Sequence, residues 1–307
     1  MDQNEPDIRV SLPAINFSEA PPPTGAVQAA KIGPDNPPWG LGGAGATWLG
    51  SVLFLGVIQI ALVGGYVFYR HVDPFTLADF VKQDPNAIFI TVLSVLPAHL
   101  LTLALVWLVV TRAGKYPFGR TIGWEWSPGF NFWTCTALAV VLLIVGIVIT
   151  ASMGDKPTAL DEMIQRSAAA RYVIALLATF TAPLTEEFVY RGVLYPALQR
   201  LTGRIWAVAG VLALFTLVHV PQYWPSYGVI LTIGLLSFFL TSIRAYTGRI
   251  LPCVVIHTVF NGIQSIWIVF GPFLNDFIQR HMPGAKPVPV PQGMVLMALS
   301  FVSHLKI

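Results

Sequence analysis

The chain has 307 residues, 55% of them apolar and only 11% charged, with a formal net charge of +3 and a mean hydropathy of +0.67. A soluble globular domain carries roughly 25% charged residues, so an ordinary soluble enzyme is excluded, and so is a disordered chain. The small net charge, with no basic stripe, argues equally against a nucleic-acid partner.

The first 45 residues hold eight of the 24 prolines and many glycines. Such a stretch buries too little apolar surface to fold, so residues 1–45 are predicted to form a disordered tail. It begins with Asp2, Glu5 and Asp7 rather than a basic segment, which is unlike a secretory signal. The first span would then be an uncleaved anchor. A helix needs about 20 apolar residues to cross a hydrocarbon core of about 30 Å. Runs near 47–69, 87–111, 132–152, 172–198, 205–221, 227–246 and 250–270 meet that length. An eighth stretch at 293–304 is short for a span. A bilayer admits only helices or closed barrels, and these runs are continuous rather than alternating. The expected fold is an all-α polytopic transmembrane bundle of about seven to eight spans over residues 46–307.

Cys135 and Cys253 both fall inside spans and read as small apolar residues rather than a disulfide framework. Nine Lys and Arg residues fall in loops on the N-terminal side and seven on the other, a weak bias that leans to a cytoplasmic N-terminus. The predicted location is an integral multi-pass position in a bacterial inner membrane.

Charges at bilayer depth are costly and mark function by default. The fourth run carries Glu186, Glu187 and Arg191. Glu187 and Arg191 are four apart and suit an internal ion pair, which on its own could be purely structural. Pro183 removes a backbone donor and frees a carbonyl one turn back, so a wet, opened stretch of helix is expected there. Phe215 and His219 end the fifth run, and His257 and Asn261 lie inside the seventh, each pair on one helix face. Phe215 reads as a packing wall, and His99 as a hydrogen bond between helices with no further role.

Depth offers a test. Glu186 lies 14 residues before Arg200 and His219 lies 14 after Ile205, across one Gly-containing turn. At about 1.5 Å per residue both sit about 21 Å from that turn. His257 is eight residues past Arg249 and so only about 12 Å in, a mismatch of about 9 Å.

At these residues the chain resembles the CAAX prenyl protease type II and bacteriocin-processing family of intramembrane proteases, also called CPBP or ABI. The family pattern has E-E-x-x-x-R, then F-x-x-x-H, then H-x-x-x-N. Here it reads Glu186-Glu187-Phe188-Val189-Tyr190-Arg191, then Phe215 to His219, then His257 to Asn261, within about 170–270. The resemblance implies a glutamate-dependent endopeptidase acting on a peptide or a membrane-anchored protein, as in CAAX-box processing. It casts Glu186 as the base that activates water, His219 as the residue that assists it or binds the nucleophilic water, and His257 with Asn261 as the oxyanion site. Glu187 and Arg191 would hold the architecture.

The residue types agree, since peptide hydrolysis needs a base, a water and donors for the oxyanion. No nucleophile elbow and no H-E-x-x-H signature is present. No cofactor is expected, although Glu186, His219 and His257 could form an open zinc site, and that reading stays open. The alternative from another class is a non-catalytic membrane scaffold or bacteriocin self-immunity protein of the same fold. A proton- or ion-coupled transporter finds no inverted repeat to support it.

Overall fold

The computed structural model describes residues 32–281 with the exception of residue 155. Among these there is no strand, and seven helices are long and apolar enough to cross a membrane. In chain order these spans are Leu41–Tyr69, Pro85–Thr111, Phe132–Met153, Ala168–Thr202, Arg204–Tyr223, Tyr227–Thr247 and Leu251–His281. The protein is an integral, multi-pass, all-α membrane protein, as the apolar runs required. The short stretch at 293–304 lies outside the described residues.

The spans differ in how they use their apolar faces. The first buries only Ala44, Thr47 and Val63 and turns Leu53, Val57 and Ile60 outward. Lipid tails are as apolar as these side chains, so a span has no need to hide them. The fourth is the opposite. Phe188 to Ala197 of this span pack, all but Arg191, Gly192 and Pro196, into a cluster with Val106, Ala207, Val211, Phe215, Ile250 and Val254. The third and sixth approach through small residues. A Cβ on Gly146 would lie 2.5 Å from Thr232 Cγ2, and one on Gly228 would lie 2.8 Å from Thr150 Cα. Close backbone approach of this kind is how membrane helices gain packing contact.

Helix starts follow local chemistry. Asp84 caps the second span by accepting from the backbone N–H groups of Asn86 and Ala87, with Pro85 in the first turn. Asn131 and Thr134 cap the third reciprocally, and Thr158 and Asp161 do the same for a short helix, Ala159–Arg166, between the third and fourth spans.

The tail boundary needs correction. The sequence reading extends disorder to residue 45, but the first span begins at Leu41 and residues 32–40 are packed. Trp39 is buried and donates its indole N–H to the Val193 carbonyl at 3.0 Å. Asp35 pairs with Arg244 at 2.8 Å, and the Pro34 carbonyl accepts from the same guanidinium at 2.7 Å. Arg200 donates to the carbonyls of Pro37 and Trp39. This short segment orders because two arginines over 160 residues away along the chain satisfy its carbonyls. Residues 1–31 lie outside the described residues.

The fourth span is not one regular helix. It runs α-helical over Ala168–Leu176, π-helical over Leu177–Thr181, α-helical over Ala182–Glu187, π-helical over Phe188–Leu194, and α-helical over Tyr195–Thr202. Glu186 and Glu187 thus occupy a short α-helical piece between two widened turns. Such π segments inside α-helices occur frequently at functional sites.

Candidate active site

Glu187 and Arg191 are both fully buried, and their ion pair closes at 3.0 Å. The guanidinium uses its other donors on the sixth span, giving Nε to Thr241 Oγ1 at 3.1 Å and Nη2 to Ser237 Oγ at 2.9 Å and the Ser237 carbonyl at 3.1 Å. Its Cζ sits 4.5 Å from the ring centroid of Phe215 on the fifth span, a cation–π contact. Phe215 is therefore more than a packing wall.

The same carboxylate oxygen of Glu187 that takes Arg191 also accepts from His257 Nδ1 at 2.8 Å. Glu187 was expected to act only in the architecture, and it also orients the histidine of the seventh span. His257 Nε2 faces Glu186 Oε2 at 3.8 Å, too long for a hydrogen bond. Glu186 differs from its neighbour in every respect. Its side chain is 23% exposed, and among the described residues its oxygens accept no hydrogen bond.

His219 is half-buried. Its Nδ1 lies 2.7 Å from the Phe215 carbonyl, its ring is tilted against Phe215 at 4.6 Å, and it stacks with Tyr223 at 6.4 Å. Among the described residues no ion pair within 4.0 Å joins it to either glutamate.

A carbonyl can only accept, so His219 Nδ1 must carry the proton there. The Glu187 oxygen accepts from Arg191, so His257 Nδ1 donates to it as well. Both rings are thus held by Nδ1–H, which leaves Nε2 of each without a hydrogen bond.

Asn261 has a different partner from the one implied by resemblance. Its Nδ2 donates to the Ala178 carbonyl at 3.0 Å. The reason lies in the first π segment. There the Ala182 N–H reaches back five residues to Leu177. The next bond in that register would come from position 183, where Pro183 has no N–H. Pro183 therefore orphans the Ala178 carbonyl, and Asn261 satisfies it. The freed carbonyl predicted from Pro183 exists, but an amide from the seventh span fills it.

The depth mismatch for His257 also closes, since it touches both glutamates. The turn before the seventh span is tucked inward. Ile250 is fully buried, and its N–H donates to the Gly123 carbonyl at 2.9 Å. The turn between the fourth and fifth spans is exposed, with Leu201 at 67% and Ile205 at 81%. Counting residues from two turns assumed that they start alike, and one is buried while the other is exposed.

By donor type, Glu186, His219 and His257 suit zinc. Their placement does not. Among the described residues no three His, Cys, Asp or Glu side chains converge closely enough to hold an ion. Several groups that shape the site carry no motif. Ser237 and Thr241 are four apart on one face of the sixth span, the one signal that could have found them.

Fold and site together define a polytopic membrane protein with a buried charged centre and one open carboxylate beside it. Residues 168–263 match the family described as Rce1-like, the type II CAAX prenyl endopeptidase Rce1-like family. The match spans about a third of the chain, contains all three motifs, and bears out the resemblance read from them. It relates this segment to a protease family. No curated protein matches the chain, and no solved structure matches it.

Proposed function

We propose that the protein is an intramembrane endopeptidase in which Glu186 activates a water molecule against a peptide bond. The observation that carries this reading is the contrast between adjacent carboxylates. Glu187 is sealed and bonded to Arg191 and His257, whereas Glu186 is unbonded, partly exposed and 3.8 Å from His257 Nε2. A base must be free to take a proton and reachable by water, and only Glu186 meets both conditions.

In this mechanism Glu186 accepts a proton from water as its oxygen attacks the scissile carbonyl carbon. The carbonyl electron pair moves onto oxygen. His219 orients the water through Nε2. Protonated His257, through Nε2–H, and the second amide N–H of Asn261 donate to the oxyanion. Glu186 then returns its proton to the amide nitrogen as the C–N bond breaks, releasing amine and acid. No step runs through a metal, since the donor set does not fit one as placed.

The substrate class that the matched family supports is a peptide or membrane-anchored protein, with a prenylated C-terminal C-a-a-X sequence as the first to try. The test is cleavage of fluorogenic peptides, with and without a farnesyl cysteine, by membranes holding equal amounts of folded wild type and Glu186→Gln. Wild-type turnover abolished by the substitution supports the reading. Undiminished cleavage by Glu186→Gln overturns it.

A further inference from the structure

A second charged place lies outside the glutamate site. A cavity of about 390 Å³ is lined by residues that include Trp39, Gly40, Arg112, Tyr116 and Arg200, and by no acidic residue. Small-molecule sites run from about 300 to 1,000 Å³. Three span ends meet at this cavity. Gly40 precedes the first span, Arg112 follows the second, and Arg200 lies in the last turn of the fourth. Successive spans cross in alternate directions, so these three ends share one side of the bilayer. It is the side whose loops carry the larger share of Lys and Arg.

The two arginines differ from others in the chain. Arg166, Arg191, Arg244 and Arg249 each have a carboxylate within 4.0 Å. Among the described residues Arg112 and Arg200 have none, and the Arg112 side chain makes no hydrogen bond. Arg200 spends one N–H on the Pro37 carbonyl and one on that of Trp39, and keeps its remaining donors. Gly40 adds the positive end of a long helix, Leu41–Tyr69, whose first N–H groups no side chain caps. Two guanidiniums beside an uncapped helix start, with no counter-charge in the lining, favour a phosphate-like anion. The position among span ends names its source, because basic pockets between membrane helices take anionic lipid headgroups. We infer that this cavity binds the phosphate of an anionic lipid, held by Arg112 and Arg200 at the start of the first span. Trp39 lines the same cavity and donates to the Val193 carbonyl in the second π segment. A lipid seated there braces the stretch of the fourth span that carries Arg191.

The test uses the full chain in neutral detergent, titrated with dispersed phosphatidylglycerol, phosphatidylcholine or inorganic phosphate. Melting temperature and retained lipid, the latter by native mass spectrometry, are measured for wild type, Arg112→Gln, Arg112→Glu and Arg120→Gln. Arg112 is exposed, so its variants should fold. Arg120 is an exposed cation between the same two spans that does not line the cavity. The expected result is that phosphatidylglycerol stays bound and raises the wild-type melting temperature by about 5–10 °C at about a hundredfold excess over its Kd. Arg112→Gln should need about 10–100-fold more lipid for the same rise, Arg112→Glu more still, and Arg120→Gln no more than wild type. An equal rise with phosphatidylcholine, or with inorganic phosphate alone, overturns the assignment to an anionic lipid. Equal losses in Arg112→Gln and Arg120→Gln reduce the effect to general surface charge and overturn the site. No rise with phosphatidylglycerol overturns it outright, and the three ligands compared on wild type decide the matter even if an Arg112 variant fails to fold.

Discussion

Glu186 and Glu187 are adjacent carboxylates whose replacement by glutamine should give opposite phenotypes. Glu187 Oε1 accepts from Arg191 at 3.0 Å and from His257 at 2.8 Å, with no exposure of either member of the ion pair. Removing one partner of a buried pair costs about 3–5 kcal/mol, because the other charge is stranded. Glutamine keeps an acceptor oxygen, and Arg191 retains Thr241, Ser237 and the face of Phe215. The cost for Glu187→Gln therefore falls at the low end, about 3 kcal/mol. At roughly 2–4 °C per kcal/mol for a domain of this size, that is a drop of about 6–12 °C. Glu186 makes no hydrogen bond, so Glu186→Gln should stay within about 0.5 kcal/mol of wild type. Its turnover should fall about 10²–10⁴-fold, the usual contribution of a general base. The assay is the melting temperature of detergent-solubilised protein, at one scan rate for all variants, beside peptide cleavage. A Glu187→Gln protein that melts with wild type, or a Glu186→Gln protein that melts as low as Glu187→Gln, refutes the division of roles.

Three further outcomes are expected. A strong chelator leaves turnover of the purified protein unchanged and elemental analysis finds no stoichiometric zinc; activity lost to chelation and restored by zinc would make Glu186, His219 and His257 ligands. Asn261→Ala costs about 1–3 kcal/mol by leaving the Ala178 carbonyl unpaired, and the cost shrinks by about 1 kcal/mol or more in a Pro183→Ala background, where position 183 regains an N–H; additive losses in the double variant would show that Pro183 is not what orphans that carbonyl. Gly192→Ala puts a Cβ 2.8 Å from Ile122 Cδ1 and 3.1 Å from Ile250 Cδ1, both fully buried. Overpacking of that kind costs about 1–2 kcal/mol, and an unchanged melting temperature would show that these isoleucines yield freely.

The spans were legible because lipid imposes a length that no other environment does, and seven apolar runs met it. Glu186, Glu187, Arg191, His219, His257 and Asn261 stood out because polar atoms at that depth are rare. What was hidden is relational. The π segments of the fourth span leave no mark in residue spacing, since the pattern that predicts them is the one for a regular helix. Pro183 announced a freed carbonyl, but the donor came from Asn261, 78 positions later. His99 was read as a bridge between helices, and it meets Thr181 at 2.9 Å, but one histidine in one span does not name its partner. Its place beside Thr181 is a property of two helices. The packed segment at 32–40 was misread because proline-rich composition reports how little a stretch can bury by itself. It cannot report that Arg200 and Arg244 wait for its carbonyls.

The arrangement also accounts for why two glutamates sit side by side. Consecutive helical residues point about 100° apart, so one short α-helical piece can aim one carboxylate inward and leave the other partly exposed. The inward one must be held by its surroundings, because an unpaired charge among lipid-facing helices is costly. Arg191 balances it, and Ser237, Thr241 and Phe215 absorb the rest of the guanidinium, so the fourth, fifth, sixth and seventh spans meet at one ion pair. That contact fixes the His257 ring by its Nδ1. The neighbouring Glu186 then needs no bond of its own to be placed, since the backbone it shares with Glu187 is already clamped. On the proposed reading, rigidity is supplied by one carboxylate and reactivity left to the next, and exchanging their order would bury the proposed base and expose the clamp.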